Sequence, residues 1–163
     1  MALATSLNLL IARDLAATRR EVEAYPDEAL IWAAVPGLPN SGGVLVRHIC
    51  GNLQHFIGTV LGRTGYRRNR DAEFAGPPDS REWLLQEIDQ AARSVGDTLR
   101  QVTSEHLRME YPLPIADHRI ETERFLVHLA VHLGFHLGQL DYHRRAVTGQ
   151  GTSVSPMGVP ALV

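Results

Sequence analysis

The sequence predicts an all-α chain folded as a four-helix bundle. Three observations carry this: apolar residues recur at helical spacing in four segments of about 20 residues or more, no period-2 alternation marks a strand, and the stretches between the segments are rich in proline and glycine. At 163 residues the chain is one domain, large enough to bury a core without disulfide or metal staples. We divide it into a bundle over residues 1–147 and a Gly/Pro/Ser-rich tail over residues 148–163, in which Val159 and Leu162 are candidates to dock.

Leu3, Leu7, Ile11, Leu15 and Val22 repeat at near-helical intervals and predict a first helix over residues 5–24, with Arg13, Arg19, Arg20, Glu21 and Glu23 on its wet face. Tyr25-Pro26 ends it, because the residue before proline is pushed out of the helical region, and residues 25–40, with Pro26, Pro36 and Pro39, form a long connector. Ser41 is positioned to cap a second helix whose inner face runs Leu45, His48/Ile49, Asn52, Phe56 and Val60 to about Leu61. The charged stretch after Gly62 is broken at Gly76-Pro77-Pro78 and reads as a loop. Asp79 with Glu82 three residues on resembles a capping box, and Leu84, Ile88, Ala91, Val95, Leu99 and Val102 mark a third helix to about residue 103. Residues 104–120, with Pro112 and Pro114, make a second long connector before a fourth helix from Glu121 to about Ala146. That helix carries apolar residues around most of its circumference, so its neighbours are expected to bury it.

Composition removes several classes of function. All 16 basic residues are arginine; without lysine there is no Schiff-base chemistry, no lysine general base and no P-loop. A formal charge of -2 and a pI near 6.4 give no electrostatic footprint for nucleic acid. No apolar run approaches the roughly 20 residues of a membrane span, and the start, interrupted by Thr5, Ser6 and Asn8, lacks the basic region of a signal peptide. The single cysteine, Cys50, cannot form an internal disulfide and fits a cytoplasmic chain. Its direction on the second helix, about 200° from His48, makes it a packing residue rather than a nucleophile. Trp32 and Trp83 are expected to anchor packing, and no Ser-His-Asp order or nucleophile elbow is visible.

Histidine is the distinctive residue. Of the 8 histidines, His128, His132, His136 and His143 fall on the fourth helix. His132 and His136 project about 40° apart and one turn apart, a spacing at which two imidazoles share one metal ion. A third ligand has to come from another helix, and His48 is the candidate, since an imidazole is an unusual choice for an otherwise apolar face. Three neutral histidines with the remaining positions left to water or substrate describe an open site for zinc, nickel or iron. The bland alternative is a set of core histidines bonded to carbonyls or carboxylates. For the i, i+4 pair with an inward partner, the two readings weigh about equally. The pairing is itself open: His128 stands four residues before His132, and His55 lies only about 20° off the face of His48. Either is a candidate to support the site or to face solvent. His143, about 10 Å further along the helix than His136, is too far to join the same coordination sphere. Gln139, Asp141 and, on the first helix, Asp14 are candidates to orient ligands.

The string HLAVHLGFHLGQLDYHRR, residues 128–145, resembles the last helix of the DinB-like, or YfiT-like, metalloenzyme superfamily, in which H-x-x-x-H followed by x-G-Q closes a metal site. The stretch VRHICGNLQHFIGTVLGRTGYRRNRDAEF, residues 46–74, looks like a branch of that superfamily described as a domain of unknown function. The resemblance covers nearly the whole chain. It makes His132 and His136 the ligand pair and His48 the first ligand. It also implies a four-helix bundle, frequently a homodimer, with relatives that are transferases or isomerases using a low-molecular-weight thiol such as bacillithiol, mycothiol or glutathione.

The charged loop Arg67, Arg68, Asn69, Arg70, Asp71 and Glu73 offers guanidiniums, Arg68 and Arg70 above all, that can clamp a carboxylate of a substrate or thiol. The competing reading, which we weight more heavily, is a loop tied down by its own Arg/Asp/Glu pairs. Together these observations lead to an expected metal-dependent transferase or hydrolase acting on a small molecule, with His48, His132 and His136 holding the ion. The alternative is a non-catalytic structural or binding homodimer, metal-stabilised or metal-free. A haem-binding bundle is a third possibility.

Overall fold

The computed structural model of the chain describes residues 3–154 and 158–162. Seven α-helices make up the described residues, with no strand; only three isolated bridges occur, in the connectors. The helices are α1 (Leu3–Glu23), α2 (Glu28–Ile31), α3 (Gly42–Leu53), α4 (Arg70–Ala75), α5 (Arg81–Leu99), α6 (Ser104–Arg108) and α7 (Thr122–Thr148). A π-helical turn, Gln54–Thr59, continues α3, and a 3-10 turn spans Val159–Leu162.

The four long helices match the four predicted segments. α1 packs on α5 and α7, and α3 packs on the same two. Their inner faces supply one continuous core: Ile11, Leu15 and Val22 from α1, Val46, Ile49 and Leu53 from α3, Leu84, Ile88 and Val95 from α5, and Leu126, Leu129, Leu133 and Leu140 from α7. Cys50 is buried in this core, as expected of a packing residue. No described helix is long and apolar enough to cross a membrane.

Several local expectations shift. The cap of α5 is Ser80, whose Oγ accepts from Trp83 N–H at 3.1 Å, not Asp79. Asp79 is engaged elsewhere: its Oδ2 accepts from Arg47 Nε at 2.7 Å, and its carbonyl accepts from Trp32 Nε1 at 3.0 Å. The Arg47 guanidinium lies 4.6 Å from the Trp32 ring, so Trp32 anchors packing as predicted, whereas Trp83 is 39% exposed. Both long connectors contain a short helix, α2 and α6, and the charged loop after Gly62 contains α4.

The second predicted helix changes form near its end, where Val60 N–H reaches back to His55 O at 3.0 Å and Gly62 N–H to Ile57 O at 3.0 Å, the i to i−5 pattern of a π turn. α7 runs on to Thr148 and stops at Gly149, whose φ of 70° is the left-handed conformation of a helix C-cap. Beyond it, Arg144 Nη2 holds the carbonyl of Thr152 at 2.9 Å. Of the tail, residues 155–157, residue 163 and the Leu162 side chain lie outside the described residues. The Val159 side chain is 69% exposed, while the 3-10 turn that carries it lies against α1.

Candidate metal centre

α3 and α7 run side by side, and their shared seam gathers the three predicted ligands. His48 projects from the middle of α3, among the buried Leu45, Val46, Ile49 and Leu53; His132 and His136 project from adjacent turns of α7. Their Nε2 atoms converge. His132 Nε2 lies 3.3 Å from His48 Nε2 and 3.1 Å from His136 Nε2, and ligand atoms of all three residues lie within 4.8 Å of one another.

Hydrogen bonds on the far sides of the rings determine what those nitrogens offer. His48 Nδ1 lies 3.0 Å from Glu73 Oε2 and 3.3 Å from Arg68 Nη2; the shorter contact is to a carboxylate, which only accepts, so His48 donates from Nδ1 and its Nε2 carries a lone pair. In the same way His136 donates from Nδ1 to Gln139 Oε1 at 2.7 Å, leaving a lone pair on Nε2. Two lone pairs and a third imidazole therefore face one point, where a single N–H on His132 Nε2 serves one lone pair fully and a cation would be met by all three nitrogens. Burial, followed by the neighbouring His136 and His48, pushes the His132 pKa down to about 4. Burial also lowers His136, against the bond to Gln139. Both rings are thus held in the neutral state that a ligand needs.

Glu73 is itself anchored. Arg68 grips it with Nε to Oε1 at 2.6 Å and Nη2 to Oε2 at 2.8 Å. Burial pushes the Glu73 carboxyl up, but the bonds and charges of Arg68 and His48 outweigh it and hold it below the ordinary range. The side chain fits because position 51 is glycine: a Cβ there would stand 2.1 Å from Glu73 Oε1. The resulting chain, Arg68 to Glu73 to His48, is the carboxylate–histidine pairing that orients metal ligands.

The remaining predicted residues separate. Gln139 lies against the cluster, bonded to His136 Nδ1. Asp141 does not: it is buried away from the cluster against Arg144 and Arg145, at 3.3 and 3.4 Å, because it points toward α1, where Arg144 also meets Glu21. Asp14 pairs with Arg13 at 2.7 Å rather than with a histidine. His128 is exposed and stacks on Phe125, its ring 6.0 Å from that of His132. His55, two turns beyond His48, packs its ring on Phe56 at 4.8 Å and lies outside the cluster. Arg68 is bound bidentately to Glu73 and its Nη2 also approaches His48 Nδ1 at 3.3 Å, so this part of the loop is tied down by its own charges, while Arg70 lies over the Phe74 ring at 5.0 Å. His143 is a core histidine of the bland kind: its Nε2 donates to Ala33 O at 2.9 Å and its Nδ1 accepts from Tyr25 OH at 2.8 Å.

Sequence reasoning named Glu73 only as part of a charge run and gave Asn52 no role beyond packing. Glu73 had a signal, the opposite charges of Arg68 and Glu73 five residues apart in a loop following a histidine helix. Asn52, one turn after His48, is buried with its Oδ1 unpartnered, a need that no local pattern announces.

No curated protein and no solved structure showed significant similarity to the chain. A family profile described as "Protein of unknown function (DUF1572)" matches residues 8–154. With that match spanning the long helices, all three converging histidines and Glu73, the chain belongs to this family of unknown function.

Proposed function

We propose that the chain is a metal-dependent enzyme in which His48, His132 and His136 hold a divalent zinc, nickel or iron ion, on a four-helix bundle of the DinB-like type that its sequence resembles. The observation that carries this reading is the convergence of three Nε2 atoms, two of them with their lone pairs directed inward by Glu73 and Gln139. When bound, such an ion lowers the pKa of a coordinated thiol or water so that the anion forms near neutral pH, which suits a thiol-dependent transferase or a hydrolase acting on a small molecule. The protein groups orient the imidazoles: Glu73 accepts from His48 Nδ1, Gln139 accepts from His136 Nδ1, and Arg68 keeps Glu73 ionised. Three protein ligands leave coordination positions for a reactant, as catalytic sites require. The lone buried cysteine and the charge of -2 suit a cytoplasmic enzyme without nucleic-acid or membrane partners.

The test is the metal content of untagged protein by elemental mass spectrometry. Wild type is expected to carry near one equivalent, and His132→Ala to lose it while circular dichroism shows the helices intact. Wild type that holds no metal after reconstitution, or a His132→Ala variant with full metal, overturns the proposal.

A second reading, a structural or binding homodimer, draws support from the exposed apolar residues Val127, Val131 and Phe135 at four-residue intervals on α7. Small-anion binding to cobalt-substituted protein separates the two. An enzyme's exchangeable position changes the visible spectrum on adding azide, and a closed structural site does not.

A further inference from the structure

Alongside the candidate metal centre, the α3–α7 seam opens into a groove of about 380 Å³ walled by Leu38, Pro39, Leu45, Phe135, Gly138 and Tyr142. It begins one turn from the ligand nitrogens on both helices, Leu45 standing three residues before His48 and Gln139 three residues after His136. Gln139 belongs to both places: it lines the groove, and its Oε1 accepts from His136 Nδ1. The Phe135 ring that forms one wall lies 5.3 Å from the His136 ring.

The chemistry of the lining is selective. No arginine, aspartate, glutamate or histidine reaches it, although 21% of the chain is charged; its polar groups are the amides of Asn40 and Gln139 and the Tyr142 phenol. An ion entering it would lose water without gaining a counter-charge, whereas an apolar body loses nothing and the two amides serve one neutral polar group. The size fits as well, since roughly 150 Å³ suffices for one benzene ring. The floor is Gly138, in the middle of a 27-residue helix. Glycine there destabilises the helix, yet a Cβ at this position would meet nothing within 4 Å. The fold itself therefore does not require glycine at 138, and a side chain there would fill the groove.

We propose that this groove binds the uncharged apolar body, aromatic or short alkyl, of the small-molecule substrate whose reactive group meets the three-histidine centre. The inference rests on the metal-enzyme reading for what happens at the histidines, but the groove's own preference stands without metal. Phe135 belongs both to this groove and to the exposed Val127–Val131 stripe of α7, so a second copy docked on that stripe would compete with the small molecule for the same wall.

The experiment follows backbone amides of the full-length chain by NMR during titration with benzyl alcohol and, separately, benzoate, with and without zinc. Saturable shifts at Leu45, Gly138, Gln139 and Tyr142 are expected with benzyl alcohol in both metal states. Benzoate should bind at least tenfold more weakly, and Gly138→Leu should weaken benzyl alcohol at least tenfold with the spectrum otherwise preserved; Gly138→Ala should give a smaller effect. On cobalt-loaded protein, benzyl mercaptan should shift the visible absorption at concentrations tenfold below those of ethanethiol, an advantage that Gly138→Leu removes. The proposal is overturned by the absence of saturable shifts, by equal binding of benzoate, by indifference to Gly138→Leu, by equal potency of the two thiols, or by sedimentation showing a dimer from which benzyl alcohol is excluded. Failure of the metal reading would look different: no metal in the protein, with the amide shifts intact.

Discussion

Glu73 is the residue on which the centre's geometry turns, because it is the acceptor that His48 Nδ1 meets, leaving Nε2 to face the other two histidines. Glu73→Gln keeps the volume but removes the charge that pairs with Arg68 and the guaranteed acceptor for His48 Nδ1–H. It is expected to weaken metal affinity about 10- to 100-fold, as measured by competition with a chromophoric chelator; affinity within twofold of wild type would remove Glu73 from the centre. At this scale the three converging histidines were legible. The i, i+4 spacing of His132 and His136 is a local property of one helix, and an imidazole among Leu45, Ile49 and Leu53 stands out against its own face. His143 was legible too, since helix rise alone separates it from His136. Glu73 was not, because its place depends on a loop folding back across α3. Asp141 was misread because spacing on a helix says which residues neighbour one another and not which helix a face meets.

At the scale of the element, α3 carries two roles in one turn. His48 faces the seam, and Gly51, three residues on, leaves room for the carboxylate that orients it. Alanine is ordinarily better than glycine inside a helix by roughly 1 kcal/mol. Gly51→Ala is nevertheless expected to lower metal affinity about as much as Glu73→Gln, by displacing Glu73, with no ligand changed. A chelator competition alongside circular dichroism checks this; a more stable protein of unchanged affinity would show that Glu73 does not need that space. The four long helices were legible because each keeps a helical apolar period for most of its length. Their ends were less so. Asp79 and Ser80 are both good caps standing side by side, and only the distant Arg47, which takes Asp79, decides between them. The π turn after Leu53 likewise leaves the apolar pattern unbroken while altering the backbone beneath it.

At the scale of the whole molecule, acid and buried charge determine stability. His143 is fully buried and its pKa is lowered by that burial, against the bond to Ala33 O. The unfolded chain therefore takes up its proton first, so the stability His143 supports is present above the ordinary value of 6.5 and declines as pH falls through it. Urea unfolding of metal-free protein from pH 7.5 to 5 is expected to show wild type losing stability relative to His143→Gln; a constant difference across that range would contradict the assignment. Arg144 and Glu21, both buried, join α7 to α1. Arg144→Met leaves Glu21 without its counter-charge and is expected to cost about 3–5 kcal/mol, visible as a lower urea midpoint and as loss of the anchor on the Thr152 carbonyl.

The two halves of the centre are far apart in the chain: 84 residues separate His48 from His132. An ion held by both is therefore a cross-link as well as a reagent, closing a loop that includes α4, α5 and α6. By chain-entropy reasoning, a covalent bond spanning that interval contributes roughly 4–5 kcal/mol, and a metal that binds only the folded chain adds stability in proportion to the logarithm of its free concentration. If the proposed ion binds, its supply would govern not only whether the centre is complete but how long each molecule survives proteolysis, so that a cell short of the metal would hold less of the protein.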